Sequence, residues 1–160
     1  MRGMLSAGIL VIGLSAMALV PRTEDAEGIK ASDEATVMTV DEQAVHDAVL
    51  DYVEAIYNVE PEQIDRSVHP TLRKHGYWRE GDGWNDGPMT FPQLQRLAAG
   101  YNRDGHIGDD APKEIVVLDV LDKTASAKLT AEWGVDYFHL AQIEGRWQIM
   151  NILWQSPPEM

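Results

Sequence analysis

Residues 125–154 read ASAKLTAEWGVDYFHLAQIEGRWQIMNILW, and their patterning decides the fold. Ala125, Ala127, Leu129, Ala131 and Trp133 alternate with Ser126, Lys128, Thr130 and Glu132. A two-residue period of this kind gives a strand with one dry face and one wet face. Trp133-Gly134-Val135-Asp136 lacks the dipeptide of a tight primed turn, so this reading gives one long strand bent by a bulge at Gly134, with Val135–Ile143 as its second half. Glu144-Gly145 is a hairpin turn, and Trp147–Trp154 is the last strand before Pro157-Pro158 stops it. Upstream, Ile115–Leu121 is rich in β-branched residues and closes on an Asp122-Lys123 turn.

Ahead of the sheet the period changes to helical. Thr39 and Glu42 form a capping-box pair, and Val45, Val49, Tyr52, Val53 and Ile56 recur on one face, giving a first helix over Val40–Tyr57. Pro61 opens a short second helix with Ile64 and Val68 on its apolar side, ended by His69-Pro70. Thr90, Pro92 and Gln93 start a third helix whose stripe is Leu94, Leu97, Ala98 and Tyr101. The intervening HGYWREGDGWNDGP, residues 75–88, suits a small irregular hairpin. Helices followed by antiparallel strands make an α+β domain: three N-terminal helices packed on a strongly curved antiparallel sheet. A bent sheet wrapped around a long helix forms a cone with a hollow end, where a small molecule binds.

The chain has 160 residues, 24% charged and 44% hydrophobic, enough for one domain with a real core. Thirteen Lys and Arg against 26 Asp and Glu leave −13, which argues against nucleic acid and anionic lipid surfaces as partners. No cysteine is present, removing disulfides, thiolate nucleophiles and Cys-held metals. Met1 and Arg2 followed by an apolar run and Ser15-Ala16-Met17-Ala18 read as a signal peptide over 1–18. The apolar stretch from Leu5 to Val20 falls short of the roughly 20 residues a spanning helix needs, so the first reading is cleavage to an exported protein without stable membrane insertion and the second an uncleaved anchor. Residues 19–38, polar and acidic, read as a flexible tether, and 39–158 as the folded domain.

Asp51-Tyr52, Val68-His69-Pro70 with Leu72 and Lys74, Val117-Leu118-Asp119-Val120 leading into Ala125-Ser126-Ala127-Lys128, Asp136-Tyr137-Phe138-His139-Leu140, and Gly145 through Trp154 together carry a resemblance. From about Val40 to Pro157 the chain resembles the nuclear transport factor 2-like superfamily, cone-shaped and cystatin-like, and within it the bacterial group labelled putative lumazine-binding. The resemblance implies that fold, a pocket, and at most a planar heterocyclic ligand. The superfamily spans ketosteroid isomerases, cyclases, dehydratases and binding-only modules, so the fold alone does not name a function.

Three residues are candidates for catalysis. His139, among Tyr137, Phe138 and Leu140, is a general base or ligand contact on one reading and a half-buried strand histidine on the other. Asp136 pairs with it only if the bulge turns both inward, since simple alternation separates them. Asp119 lies in an apolar strand, an inward carboxyl with raised pKa or an ordinary surface charge. The candidate pocket lining is His69, His75, Tyr77, Trp84, Trp133, Tyr137, Asn151 and Trp154, each with a packing or capping role as its alternative. The oxygen-rich loops Asp82–Asp86 and Asp104–Asp110 lack calcium-loop spacing, and no metal or cofactor motif is present. The reading is therefore an exported homodimer holding a small apolar or planar molecule, with an acid–base enzyme of isomerase, dehydratase or cyclase type and a protein-interaction module as the other two readings.

Overall fold

In the computed structural model, which describes residues 37–157, α1 spans Val40–Tyr57 and begins where its cap dictates. Glu42 donates its backbone N–H to the Thr39 hydroxyl at 3.2 Å, and Thr39 donates its own to Glu42 Oε2 at 2.7 Å, the reciprocal capping box. The signal peptide expected over 1–18, the tether as far as residue 36 and the domain's last residue, Pro158, lie outside the described residues.

Helix α2, Glu62–Ser67, is shorter than the sequence suggested. Val68 is not on its face but opens a strand: it is β-branched and already extended at φ −118° and ψ 132°, and Pro70 holds the following His69 to extended backbone as well. That strand, β1, runs Val68–Glu80 and pairs antiparallel with β2, Gly83–Met89, from Lys74↔Met89 to Glu80↔Gly83. The small irregular hairpin expected at 75–88 is therefore a long regular one, turning at Gly81-Asp82 with Gly81 at φ +60°. Helix α3, Phe91–Ala98, starts as expected: Gln93 Oε1 accepts from both the backbone N–H and the hydroxyl of Thr90, each at 2.7 Å.

The last four strands are β3 Lys113–Val120, β4 Thr124–Ala131, β5 Gly134–Ile143 and β6 Arg146–Gln155. The single strand bulged at Gly134 is a second correction: Ala131 pairs with Gly134 across a two-residue turn at Glu132-Trp133. Gly134 sits at φ +127°, and a Cβ there would lie 2.1 Å from the Gln155 carbonyl oxygen. Only glycine fits, so it marks a turn's exit and not a bulge. Glu144 and Gly145, at φ +50° and +78°, make the expected primed turn.

The six strands form one curved sheet in the order β2-β1-β6-β5-β4-β3. It is antiparallel except between its second and third strands, where β1 joins β6 in parallel, Lys74 beside Ile152 and Gly76 beside Trp154. The expectation of a wholly antiparallel sheet is corrected at that pair, which local patterning cannot reveal because parallel partners are far apart in sequence. Helix α1 lies across β3, β4 and β6, and α3 against β1. Val45, Val49, Tyr52, Val53 and Ile56 from α1 meet Leu129, Phe138, Leu140, Ile149 and Ile152 in the core.

Candidate functional site

Strand register sorts the chemistry-bearing residues onto two faces. On the helix-covered face one row of neighbours runs Val117, Ala127, Phe138, Ile152, Lys74, Met89, and the next Ile115, Leu129, Asp136, Trp154, Gly76, Gly87. Lys74 and Asp136 thus come from strands on either side of β6 and meet diagonally beneath α1. Both are buried, at 5% and 0% exposure.

Their hydrogen bonds tie three elements together. The Lys74 ammonium donates to the Tyr52 hydroxyl of α1 at 2.6 Å and lies 3.3 Å from Asp136 Oδ1. Trp133, on the turn before β5, donates its indole N–H to Asp136 Oδ2 at 2.5 Å. The ammonium also stands 5.2 Å and 5.7 Å from the ring centres of Tyr52 and Trp154, within cation–π range. Burial lowers the proton affinity of Lys74 and the Asp136 charge opposes that shift. Burial likewise pushes the Tyr52 hydroxyl well above its ordinary pKa, with the adjacent Asp136 carboxylate adding to the rise.

Beside this cluster is a partly open cavity of about 80 Å³ lined by Tyr52, Ile56, Lys74, Met89, Leu97, Tyr101, Trp133 and Trp154. Its aromatic walls are locked edge to face: Trp133 meets Tyr52, Tyr57 and Tyr101 at 6.2, 5.4 and 5.8 Å. The Trp154 indole lies flat on Gly76, where a Cβ would come 1.8 Å from its Nε1. Trp78 runs parallel to it at 8°, ring centres 6.4 Å apart, and rests against Gly87. Two glycines on neighbouring strands therefore make room for an aromatic pavement leading to Lys74.

The opposite face gathers most of the other candidates. One outer row is Val116, Lys128, Tyr137, Leu153, His75, Pro88, and another Asp119, Ser126, His139, Asn151, Arg73. His139 is exposed and Asp136 buried, so the two point to opposite faces and form no pair. His139, His75 and Asn151 line an outer groove of about 480 Å³; Asp119 and His139 share a shallower depression of about 350 Å³. Asp119 is a surface carboxylate. His75 Nε2 lies 2.8 Å from Asp86 Oδ1, and its ring is 5.3 Å from exposed Tyr77. His69 Nδ1 lies 2.7 Å from the Thr71 hydroxyl. Trp84 is exposed beneath the Arg79 guanidinium, 4.4 Å from the ring centre. A further opening of about 500 Å³ between α2 and α3 is lined by surface side chains such as Glu62, Asp65 and Arg96 and holds no buried polar group.

Of the residues singled out from sequence, Asp136, Trp133 and Trp154 belong to the inner site. Lys74, Tyr52 and Tyr101 belong to it too and were not among them. Lys74 had one usable signal: it is the basic residue in the inward series Leu72, Lys74, Gly76 of β1, legible only once β1 is known to be a strand. Among the described residues no cluster of His, Asp or Glu is arranged to hold a metal ion.

The sequence model of a family described as "Putative lumazine-binding" matches residues 40–155. A protein of unknown function from Shewanella baltica OS155, described as nuclear transport factor 2-like, superposes with a TM-score of 0.59 at 14% identity over 77% of this chain and all of that one. A ketosteroid isomerase-like protein from Erwinia carotovora atroseptica SCRI1043 gives 0.51 at 14% identity, over 76% of this chain and 100% of its own. A cystatin-like domain from Nostoc punctiforme PCC 73102 gives 0.56 at 12% identity, over 78% and 82%. Likeness at this level establishes the fold. No curated protein matches the sequence.

Proposed function

The chain belongs to the putative lumazine-binding family, and from that premise we propose that it is an exported domain that binds a small, largely apolar or planar molecule in the inner cavity. The observation that carries this reading is the Lys74–Asp136 pair, buried beside an apolar space and held by Tyr52 and Trp133. A buried ion pair is a poor stabiliser, since apolar residues of similar volume commonly do as well or better. Its presence at a cavity and not in solid core is the arrangement expected of a polar anchor in a binding pocket. At about 80 Å³ the cavity is below the ~300–1,000 Å³ of drug-sized sites, so the molecule is very small or enters by one end, with the rest lying over Trp154 and Trp78.

Turnover is the second reading, favoured by a buried amine of lowered proton affinity beside a carboxylate. Binding takes precedence because the other two residues read from sequence as catalytic candidates, His139 and Asp119, lie on the outer face. The same reading has two copies associate across that face.

Native mass spectrometry of the protein purified from its own exported compartment tests the proposal. The expected result is a chain lacking residues 1–18 with a retained small mass, and a shift of that mass out on adding lumazine. A chain that carries nothing, and shows no change in Trp fluorescence on titration with lumazine or the aromatic ketone named below, overturns the binding reading. A retained Met1 overturns cleavage.

A further inference from the structure

We infer that the cavity selects an uncharged planar ligand through a hydrogen-bond acceptor, a carbonyl or ring-nitrogen edge, that meets the Lys74 ammonium while its ring lies along Trp154. This deepens the binding reading and rests on it. The argument is a count of donors and acceptors around the space.

Lys74 has three N–H bonds, and the described residues supply acceptors for two, the Tyr52 hydroxyl and Asp136 Oδ1. Asp136 is spoken for: Oδ1 faces Lys74 and Oδ2 accepts from Trp133. Trp154 lines the cavity with its ring, its indole nitrogen lying over Gly76. Tyr101 adds a hydroxyl that can act in either sense. The spare capacity facing the space is thus donor capacity. A ligand that offers a second donor there leaves buried groups unpaired, whereas an acceptor completes the ammonium.

Charge bookkeeping then decides against an anion. The positive charge of Lys74 is already matched by Asp136 at 3.3 Å, with both groups buried. A ligand carboxylate would be a third, uncompensated charge in a low-dielectric space, inside a chain of net charge −13. A neutral acceptor meets the N–H without that cost. Parallel Trp154 and Trp78, both seated over glycines, supply the flat apolar surface for the remainder.

Three probes of nearly one shape separate these requirements: acetophenone, planar with a neutral acceptor; α-methylstyrene, the same shape without one; and benzoate, the same shape with a negative charge. Binding is followed on the full mature chain by calorimetry and by the indole N–H resonances of Trp154 and Trp133. Acetophenone is expected to bind at least roughly tenfold more tightly than either of the others and to move both indole signals. The advantage over α-methylstyrene disappears in K74M/D136N, a pair of changes that removes both charges together and spares the fold an orphan ion. Equal or tighter binding of α-methylstyrene or benzoate overturns the inference and leaves the binding reading standing, as does an unchanged preference in the double variant. Failure of all three probes and of lumazine to bind the wild type overturns both.

Discussion

Lys74 is a charge held at 5% exposure by one carboxylate and one phenol, so the effect of changing it depends on what is left behind. K74M alone strands Asp136 as an unpaired buried charge, and a loss of about 3–5 kcal/mol is expected by urea denaturation. K74M/D136N should recover most of it, and equal losses in the two variants would show that the pair does not behave as a unit. Tyr52 gives the pH dependence. Its folded pKa is raised well above 10.0, so its contribution is fully present below pH 10 and is lost as pH rises through the folded value. Lys74 works in the opposite sense, its folded pKa lying below 10.5, so its penalty fades as pH climbs toward that value. Y52F should therefore lower stability at pH 8 but flatten the fall above pH 10, read from thermal midpoints across that range. A wild-type and variant curve of the same alkaline slope would remove Tyr52 from the account. The inner site was half legible for the same reason that it is coupled. Asp136 and Trp133 stand three residues apart and are visible as candidates, whereas Lys74 is 62 residues from its carboxylate and becomes its partner only through the parallel β1–β6 register.

At the level of elements, what the sequence revealed were local devices and what it concealed were distant pairings. The boundaries of α1 follow from its capping box and from apolar spacing, and T39A is expected to cost about 1 kcal/mol with little change elsewhere. The β5–β6 turn was readable because Glu144-Gly145 has the chemistry of a primed turn. The β4–β5 turn was not, because Glu132-Trp133 has none of the usual turn residues. That turn is held from outside, by Gly134 at φ +127° against the Gln155 carbonyl and by the Trp133 indole on Asp136. The consequence is testable: G134A forces both an unfavourable backbone region and a 2.1 Å contact, and should destabilise by more than about 2 kcal/mol in chemical denaturation. A near-neutral G134A would mean the turn relaxes freely. The β1–β2 hairpin was misread for a related reason: Gly76 and Gly87 weaken a strand by local propensity, yet here they are the floor under Trp154 and Trp78.

At the scale of the whole molecule, the sheet has one face under helices and one that no other described element covers. That outer face is not uniformly polar: one cross-strand row runs Val116, Lys128, Tyr137, Leu153, with Tyr137 and Leu153 50% and 48% exposed. Singly exposed apolar residues need no explanation, but Tyr137 and Leu153 are direct cross-strand neighbours, and the proposed two-fold association of identical chains would cover such a pair. That arrangement also bears on chemistry. His139 and Asp119 lie in the adjacent row, so a partner copy would cover them and leave the inner cavity as the accessible site. Because the full chain carries −13 and loss of residues 1–18 removes only the basic Arg2, mutual repulsion opposes association at long range, and salt should screen it. Sedimentation equilibrium is therefore expected to show a dimer whose dissociation constant falls as ionic strength rises, and L153E should shift it to monomer while leaving acetophenone binding unchanged. A wild type that remains monomeric at high salt and high concentration would assign this row to another partner, and an L153E monomer that loses the ligand would place the dimer and the pocket in one cooperative unit.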